Sequence, residues 1–258
     1  MVRCDILMYH MVSEPQTSLD ARFAIPPQRF AAQIDSLLGR GYHFVSLDQI
    51  LGMVNGQTNL PDRSVAITFD DGYLDNYENA FPILQQRNIP AAIFLVSGLM
   101  GDSNRWMHGR GFSERALMNW PQVREMASHR ITFGGHTVNH ARLTEVSADQ
   151  ARREIEDNRA AIADRLGTQI DHFAYPYGAL NETAVKLVRE AGYRTACSTR
   201  PGPNRADTNP YVLRRIEVYG DDTPAQLHRK LVFGTNERAL TVPLRYYWDR
   251  LKSRLPGN

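Results

Sequence analysis

The fold is decided by the stretch VAITFDDG at residues 65–72. Its apolar run shows no alternation with polar residues, which is typical of a strand buried on both faces of a parallel sheet. The run ends in Asp70, Asp71 and Gly72. Two adjacent carboxylates repel each other unless a cation compensates them. Because Asp-Gly is also a common turn pair, the motif alone fits either a turn at a strand end or a cation site.

Similar runs recur on both sides of this stretch, and helical patterns lie between them. The expected strands are 5–9, 43–45, 65–69, 91–96, 131–134, 172–175, 194–197 and 213–216. The expected helices are 27–40, a short one opened by a Ser46/Gln49 capping box, 76–87, 120–128, 147–166 and 181–191. This alternation predicts an α/β fold with a parallel sheet. Seven or eight units in one modest domain favour a barrel, whose chemistry lies at the carboxyl ends of its strands.

The composition bounds the class of protein. The chain has 258 residues, of which 42% are hydrophobic and 22% charged, so it is globular rather than disordered. A net charge of +2 does not suggest nucleic acid as a partner, and two cysteines do not form a disulfide framework. No apolar stretch is long enough for a signal peptide core or a membrane span. We expect a cytoplasmic location, or a periplasmic or extracellular one if a leader has been removed.

A pair of histidines follows the strand expected at 131–134. If 136–140 forms one helical turn, His136 and His140 lie on one face, which suits two nitrogen ligands of one metal. Together with the Asp pair at another strand end, they would form a two-histidine, one-carboxylate site with open positions for water and substrate. An isolated pair with this spacing is more often a surface coincidence.

Two further strand ends carry candidate residues. Pro176 and Gly178 shape a loop that could direct the backbone N–H of Tyr177 into the site, although the segment alone is better explained as a tight turn with an aromatic plug. His10 ends the first expected strand on the same rim, although alone it reads better as a packed histidine. His172 opens a strand and is expected at the opposite, stabilising end of the barrel.

Three motifs in this order, TFDDG at 68–72, HTVNH at 136–140 and YPYG at 175–178, resemble those of the polysaccharide deacetylases, the family-four carbohydrate esterases. The resemblance covers about residues 5–218. It implies a distorted (β/α) barrel of about seven parallel strands and one catalytic divalent metal. It further implies a general base at Asp70, metal ligands at Asp71, His136 and His140, a bracing hydroxyl at Thr137, and an oxyanion-binding backbone N–H at Tyr177.

The chain departs from the family pattern at two points. The family's arginine that orients the base is Ala174 here, and Arg214 or Arg215 could substitute for it. The late Leu-Xxx-His motif that carries the general acid is not evident after residue 200. LMYH at 7–10 looks like that motif moved to the front, an order that resembles bacterial exopolysaccharide deacetylases, including those acting on poly-N-acetylglucosamine. This resemblance assigns the general acid to His10.

The implied function is metal-dependent hydrolysis of the N-acetyl group of an amino sugar in a polysaccharide, an oligosaccharide or a lipid-linked glycan. Zinc is the expected ion, with cobalt, nickel or manganese as alternatives. An inactive glycan-binding relative, or a barrel hydrolase acting on a cyclic amide or formyl group, remains open. The rim aromatics that could stack on sugar rings are Tyr73, Trp106, Trp120 and Tyr175, and the long segment 98–120 is expected to shape the cleft.

We expect a barrel domain at residues 1–240 and a basic helical tail at 241–258. The tail combines arginines with Tyr246, Tyr247 and Trp248. It could contact a membrane surface near a lipid-linked sugar, or pack on the barrel.

Overall fold

The structure is a computed structural model that describes residues 3–238. The predicted basic tail at 241–258, and the boundary at 240, lie outside the described residues. Between residues 3 and 238, no helix is both long enough and apolar enough to cross a membrane.

A single parallel sheet forms the centre of the fold. Its strands are β1 (Cys4–Tyr9), β2 (His43–Phe44), β3 (Ser64–Phe69), β4 (Ala91–Leu95), β5 (Ile131–Gly135), β6 (His172–Ala174), β7 (Thr195–Cys197) and β8 (Ile216–Glu217). Their order is β7-β6-β5-β4-β3-β1-β8, and β2 pairs with the start of β3. A parallel bridge between Cys197 and Leu213 joins β7 to the residues before β8. The predicted distorted (β/α) barrel of about seven parallel strands is confirmed.

Helices cover the outside of the sheet. They are α1 (Pro27–Gly39), α2 (Leu47–Val54), α3 (Phe81–Gln86), α4 (Trp120–Ala127), α5 (Ala148–Leu166), α6 (Glu182–Glu190) and α7 (Pro224–Phe233). The capping box predicted at Ser46 and Gln49 opens α2. Ser147 caps α5, which ends where Gly167 takes up the left-handed conformation.

Two predicted elements differ from the structure. The helix expected over 76–87 is a π-helical turn, Asn76–Ala80, followed by α3. Pro82 lacks the N–H that a continuous α-helix would need there, which accounts for the interruption. The strand expected over 213–216 is the short β8, because Leu213 makes only the isolated bridge to Cys197.

The strands are buried on both faces. On β1, Ile6 packs inside the barrel with Ala66 and Phe94, whereas Leu7 and Tyr9 belong to the larger cluster beneath the helices. This two-sided burial explains why the strand sequences lack alternation. Because all strands are parallel, their carboxyl ends meet at one face, and the loops that follow them share that face.

Candidate active site

A cavity of about 400 Å³ opens at the carboxyl ends of the strands. The structure brings all six residues predicted from the sequence to its wall, namely His10, Asp70, Asp71, His136, His140 and Tyr177. They follow β1, β3, β5 and β6. Backbone hydrogen bonds from Asp70 N to Tyr9 O (3.0 Å) and from His136 N to Leu95 O (3.0 Å) continue the sheet into the site.

Asp71 and the two histidines converge on one point. Asp71 Oδ1 lies 3.4 Å from His136 Nε2 and 3.1 Å from His140 Nε2, and all three side chains are buried. His136 Nδ1 lies 2.7 Å from the carbonyl oxygen of Ala174. A carbonyl can only accept a hydrogen bond, so Nδ1 carries a proton, and the neutral His136 ring would present the lone pair of Nε2 to the cavity.

The electrostatics of this cluster suit a cation. Burial would raise the pKa of Asp71, but the adjacent His140 and His136 imidazoles hold it well below its usual value. Burial lowers the pKa of His140, although Asp71 opposes this effect. Asp71 Oδ1 receives no hydrogen bond from the described residues. A carboxylate and two neutral imidazoles are the ligand types of catalytic zinc sites, so these residues fit a divalent metal.

The segment that carries the two histidines is not the helical turn considered from the sequence. It is a loop in which Thr137 (φ 66°) and His140 (φ 57°) both have left-handed backbone conformations. These two reversals, rather than helical spacing, bring the imidazoles to the same point. Thr137 Oγ1 accepts a hydrogen bond from Ala141 N at 3.0 Å and so braces the loop locally.

Asp70 is held by an arginine that directly precedes β8. Arg215 Nη1 and Nη2 donate to its two carboxylate oxygens at 2.6 and 2.8 Å, and Arg215 is fully buried. Burial would raise the pKa of Asp70, but the Arg215 charge lowers it below its usual value. Of the two arginines considered as substitutes at Ala174, only Arg215 reaches the site, because Arg214 is exposed and bonds the carbonyl of Pro201.

His10 lines the cavity at the end of β1, the strand that pairs with β3 and so lies next to the strand that precedes Asp70. Its ring packs edge-on against Phe23, with centroids 5.0 Å apart, and its Nδ1 has no hydrogen-bond partner among the described residues. β1 pairs with β8 through Leu7–Ile216 and Met8–Glu217. The first and last strands are therefore neighbours, so a residue that follows β1 occupies the same rim as one that follows β8.

Aromatic side chains form much of the wall. Trp106 stacks on His140 with centroids 4.5 Å apart, and the Tyr177 ring meets the same imidazole edge-on at 4.5 Å. Trp106, Met107 and Phe112 come from the segment 98–120, which therefore shapes the cleft. Tyr73 also lines the cavity. Tyr175 does not, contrary to expectation, because it is buried in the core and its hydroxyl donates to Tyr211 O.

Two further features of the cavity wall were not indicated by any sequence motif. Arg22 pairs with both carboxylate oxygens of Glu217, at 3.0 and 2.8 Å. Asp20 accepts hydrogen bonds from Ser113 and Arg115 and ties the loop after β1 to the segment 98–120. The position of Glu217 at a strand end was the one available signal.

The fold and the site together define a barrel hydrolase with its polar groups at the carboxyl ends of the strands. A family model described as Polysaccharide deacetylase matches residues 57–196, more than half of the chain. The chain therefore belongs to the polysaccharide deacetylase family, and the enzyme class predicted from the sequence, a carbohydrate deacetylase, is confirmed.

Individual relatives agree with this assignment. The Bacillus subtilis protein YxkH is 29% identical over 213 residues, covering 83% of this chain and 70% of its own. A Staphylococcus aureus poly-beta-1,6-N-acetyl-D-glucosamine N-deacetylase is 25% identical over 208 residues, covering 77% of this chain and 69% of its own.

Two solved structures share the fold. The Streptococcus pyogenes deacetylase PplD, in complex with acetate, superposes with a TM-score of 0.77 at 27% identity, covering 88% of this chain and 97% of its own. IcaB from Ammonifex degensii superposes with a TM-score of 0.76 at 28% identity, covering 84% of this chain and 92% of its own.

Proposed function

We propose that this chain removes the N-acetyl group of an amino sugar in a polysaccharide, oligosaccharide or lipid-linked glycan. Its cofactor in this proposal is a divalent metal, and zinc is the expected ion. The observation that carries the proposal is the convergence of Asp71, His136 and His140 beside the Arg215-held Asp70 in one cavity. The Staphylococcus aureus relative, named for poly-beta-1,6-N-acetyl-D-glucosamine, supports a glycan polymer as the substrate class. A cytoplasmic location and membrane contact by the tail 241–258 stay predictions.

Asp71, His136 and His140 would hold the metal. When bound, a divalent ion there polarises the acetamide carbonyl and lowers the pKa of a bound water from about 16 to about 7. The hydrogen bond between His136 Nδ1 and Ala174 O keeps that imidazole in the tautomer that a ligand needs.

Asp70 is the general base in this proposal. Arg215 keeps its carboxylate ionised and oriented, so it is ready to accept a proton from the attacking water. Each carboxylate oxygen retains a lone pair besides the one that Arg215 engages. Attack on the acetamide carbon leaves a tetrahedral oxyanion, and the backbone N–H of Tyr177 stabilises it. The left-handed conformation of Tyr177 (φ 59°) supports this role, because strained backbone persists where a function requires it.

His10 is the general acid. The carbon–nitrogen bond breaks only when the departing amine gains a proton, and His10 supplies it from the cavity wall at the end of β1. Acetate and a free amino sugar are the products. The His10 ring is oriented by its contact with Phe23, and no residue between 3 and 238 bonds its Nδ1, so this nitrogen can exchange a proton.

The test combines metal content with acetate release. Wild type, His136→Ala and Asp70→Asn are loaded with zinc, desalted and measured by mass spectrometry, then assayed on β-1,6-linked N-acetylglucosamine oligomers. We expect about one zinc per chain in wild type and in Asp70→Asn, none in His136→Ala, and acetate from wild type alone. A folded wild type without zinc would favour the inactive glycan-binding relative. Full activity in Asp70→Asn would remove the assigned base.

A further inference from the structure

The loop from His136 to His140 is held in a conformation that its own sequence does not favour. Thr137 and His140 are not glycines, yet both have positive φ. Such residues persist only where the surrounding structure over-determines them. The Thr137 hydroxyl contributes one bond, to Ala141 N. Backbone hydrogen bonds from Ser97 N to Thr137 O (3.3 Å) and from Gly98 N to Val138 O (2.9 Å) tie the loop to the segment after β4. Further restraints come from the helix that follows, α5.

Asn158 is the first of these restraints. Its side chain is fully buried on α5, and Nδ2 lies 2.6 Å from Thr137 O, 2.9 Å from Ser97 Oγ and 3.0 Å from Leu95 O. The amide shares its two hydrogens among these three oxygens, and its Oδ1 accepts from Tyr193 Oη at 3.3 Å. One side chain thus joins the end of β4 to the loop. A Cβ at position 135 would clash with Asn158 Oδ1, so the glycine there makes the approach possible.

Glu154 is the second restraint, one helical turn earlier. Its carboxylate accepts from Asn139 N at 2.9 Å and from Asn139 Nδ2 at 2.7 Å, and its backbone carbonyl accepts from Val138 N at 3.2 Å. These bonds fix the two residues that separate Thr137 from His140. A buried carboxylate is costly without hydrogen-bond partners, and the described partners of the Glu154 carboxylate all lie in the loop.

Neither residue lines the cavity, so neither can touch substrate or a bound metal. Both lie on the inner face of α5, where Ile155 and Ile162 show that apolar side chains pack well. Two buried polar residues four positions apart on that face therefore hold the loop and join it to the end of β4.

We infer that Glu154 and Asn158 are positioning residues that hold the loop so that His136 and His140 meet Asp71 before a metal binds. The inference rests on the proposed function only in taking this triad as the metal site. Without the two restraints the loop relaxes, and metal binding must reorder it. Loss of comparable outer partners weakens metal affinity about 10–100-fold.

The test measures zinc affinity in the folded full chain. Glu154→Gln keeps the shape of the side chain but replaces one accepting carboxylate oxygen with an NH2 group, which is a donor and would face Asn139. Asn139→Ala removes the side-chain bond at an exposed position and is the milder variant should Glu154→Gln fail to fold. Glu156→Gln is the matched control, the same change on the exposed face of α5. Zinc dissociation constants are measured by competition with a chromophoric chelator, well below the melting temperature of each apoprotein.

We expect affinity to fall about 10–100-fold in Glu154→Gln, about 3–10-fold in Asn139→Ala, and not at all in Glu156→Gln. A melting temperature that falls while zinc affinity stays within about twofold of wild type would show a purely structural role and overturn the inference. Wild type without zinc would overturn both proposals. Wild type that binds zinc but hydrolyses no N-acetylated sugar would overturn the proposed function alone.

Discussion

The guanidinium of Arg215 grips both oxygens of the Asp70 carboxylate, at 2.6 and 2.8 Å, although the two residues are 145 positions apart. Arg215 Nε also donates to Ser198 O at 3.0 Å, which fixes the plane of the guanidinium. Both side chains are buried, so little solvent screens the pair. The interaction keeps Asp70 charged and points it along one direction, as a general base requires.

Replacing Arg215 with lysine tests this relationship. An ammonium group retains the positive charge but cannot bond both carboxylate oxygens in one plane. We expect kcat of Arg215→Lys to fall about 10–100-fold, with zinc retained and a loss of about 1–3 kcal/mol in the free energy of unfolding. Steady-state kinetics, zinc content and denaturant unfolding check the three outcomes.

Arg214→Lys is the matched control for that change. Arg214 is exposed and contacts the carbonyl of Pro201 rather than the cavity. Its substitution should leave kcat and unfolding unchanged. If Arg215→Lys has the same kcat as this control, the ion pair contributes only to stability and Asp70 needs no positioning.

His10→Ala tests the general acid. The ring is half-buried and its Nδ1 bonds no described residue, so its removal should cost only about 1 kcal/mol of stability. Loss of proton transfer to the amine should lower kcat about 10²–10⁴-fold. His129→Ala, which removes an exposed imidazole packed on Phe81, is the control and should keep full activity. Turnover of His10→Ala above half that of wild type would contradict the assignment from the N-terminal motif.

The two tryptophans considered as sugar platforms have different surroundings. Trp106 stacks on His140 and lines the cavity, whereas Trp120 opens α4 and packs against the core. We expect Trp106→Ala to raise KM about fivefold, since an aromatic contact is worth roughly 1 kcal/mol beyond its burial. Trp120→Ala should leave KM unchanged and lose about 2 kcal/mol of stability. The reverse pattern would mean that Trp106 does not contact the sugar.

The burial of Asp5 should make the stability of the protein depend on pH in a way that is independent of the active site. It lies buried on β1, and burial, opposed by Arg3, raises its pKa to about 6. Because the folded protein holds this proton more tightly than the unfolded chain, the stabilisation is present near pH 4 and is lost as pH rises through about 6. Linkage puts this loss at about 3 kcal/mol.

Asp5→Asn should therefore be more stable than wild type above pH 6 and should flatten the melting profile between about pH 4 and 6. Scanning calorimetry of both proteins across that range is the measurement. Parallel profiles for the two proteins would show that Asp5 does not titrate there.

The features that the sequence predicted well are local ones. Apolar runs without alternation marked strands such as β3, and Ser46 with Gln49 marked the start of α2. The motif residues Asp70 and Asp71 were found because in this fold the polar groups follow directly after buried strands. Short-range sequence carries this information since capping, turn formation and burial periodicity act within a few residues.

The tertiary structure decided everything that depends on residues far apart. Nothing local distinguishes Arg215 from Arg214. The bridge of Leu213 to Cys197 and the entry into β8 turn Arg215 inward and Arg214 outward. The loop 136–140 is not helical, because hydrogen bonds to Glu154 and Asn158 hold it in another conformation. Tyr175 faces the core rather than the rim.

The sequence by itself thus determined which elements form and which side chains stand at their ends. Only closure of the barrel determined which of those side chains meet, because contacts between distant segments follow from strand order and register, which local preferences do not encode.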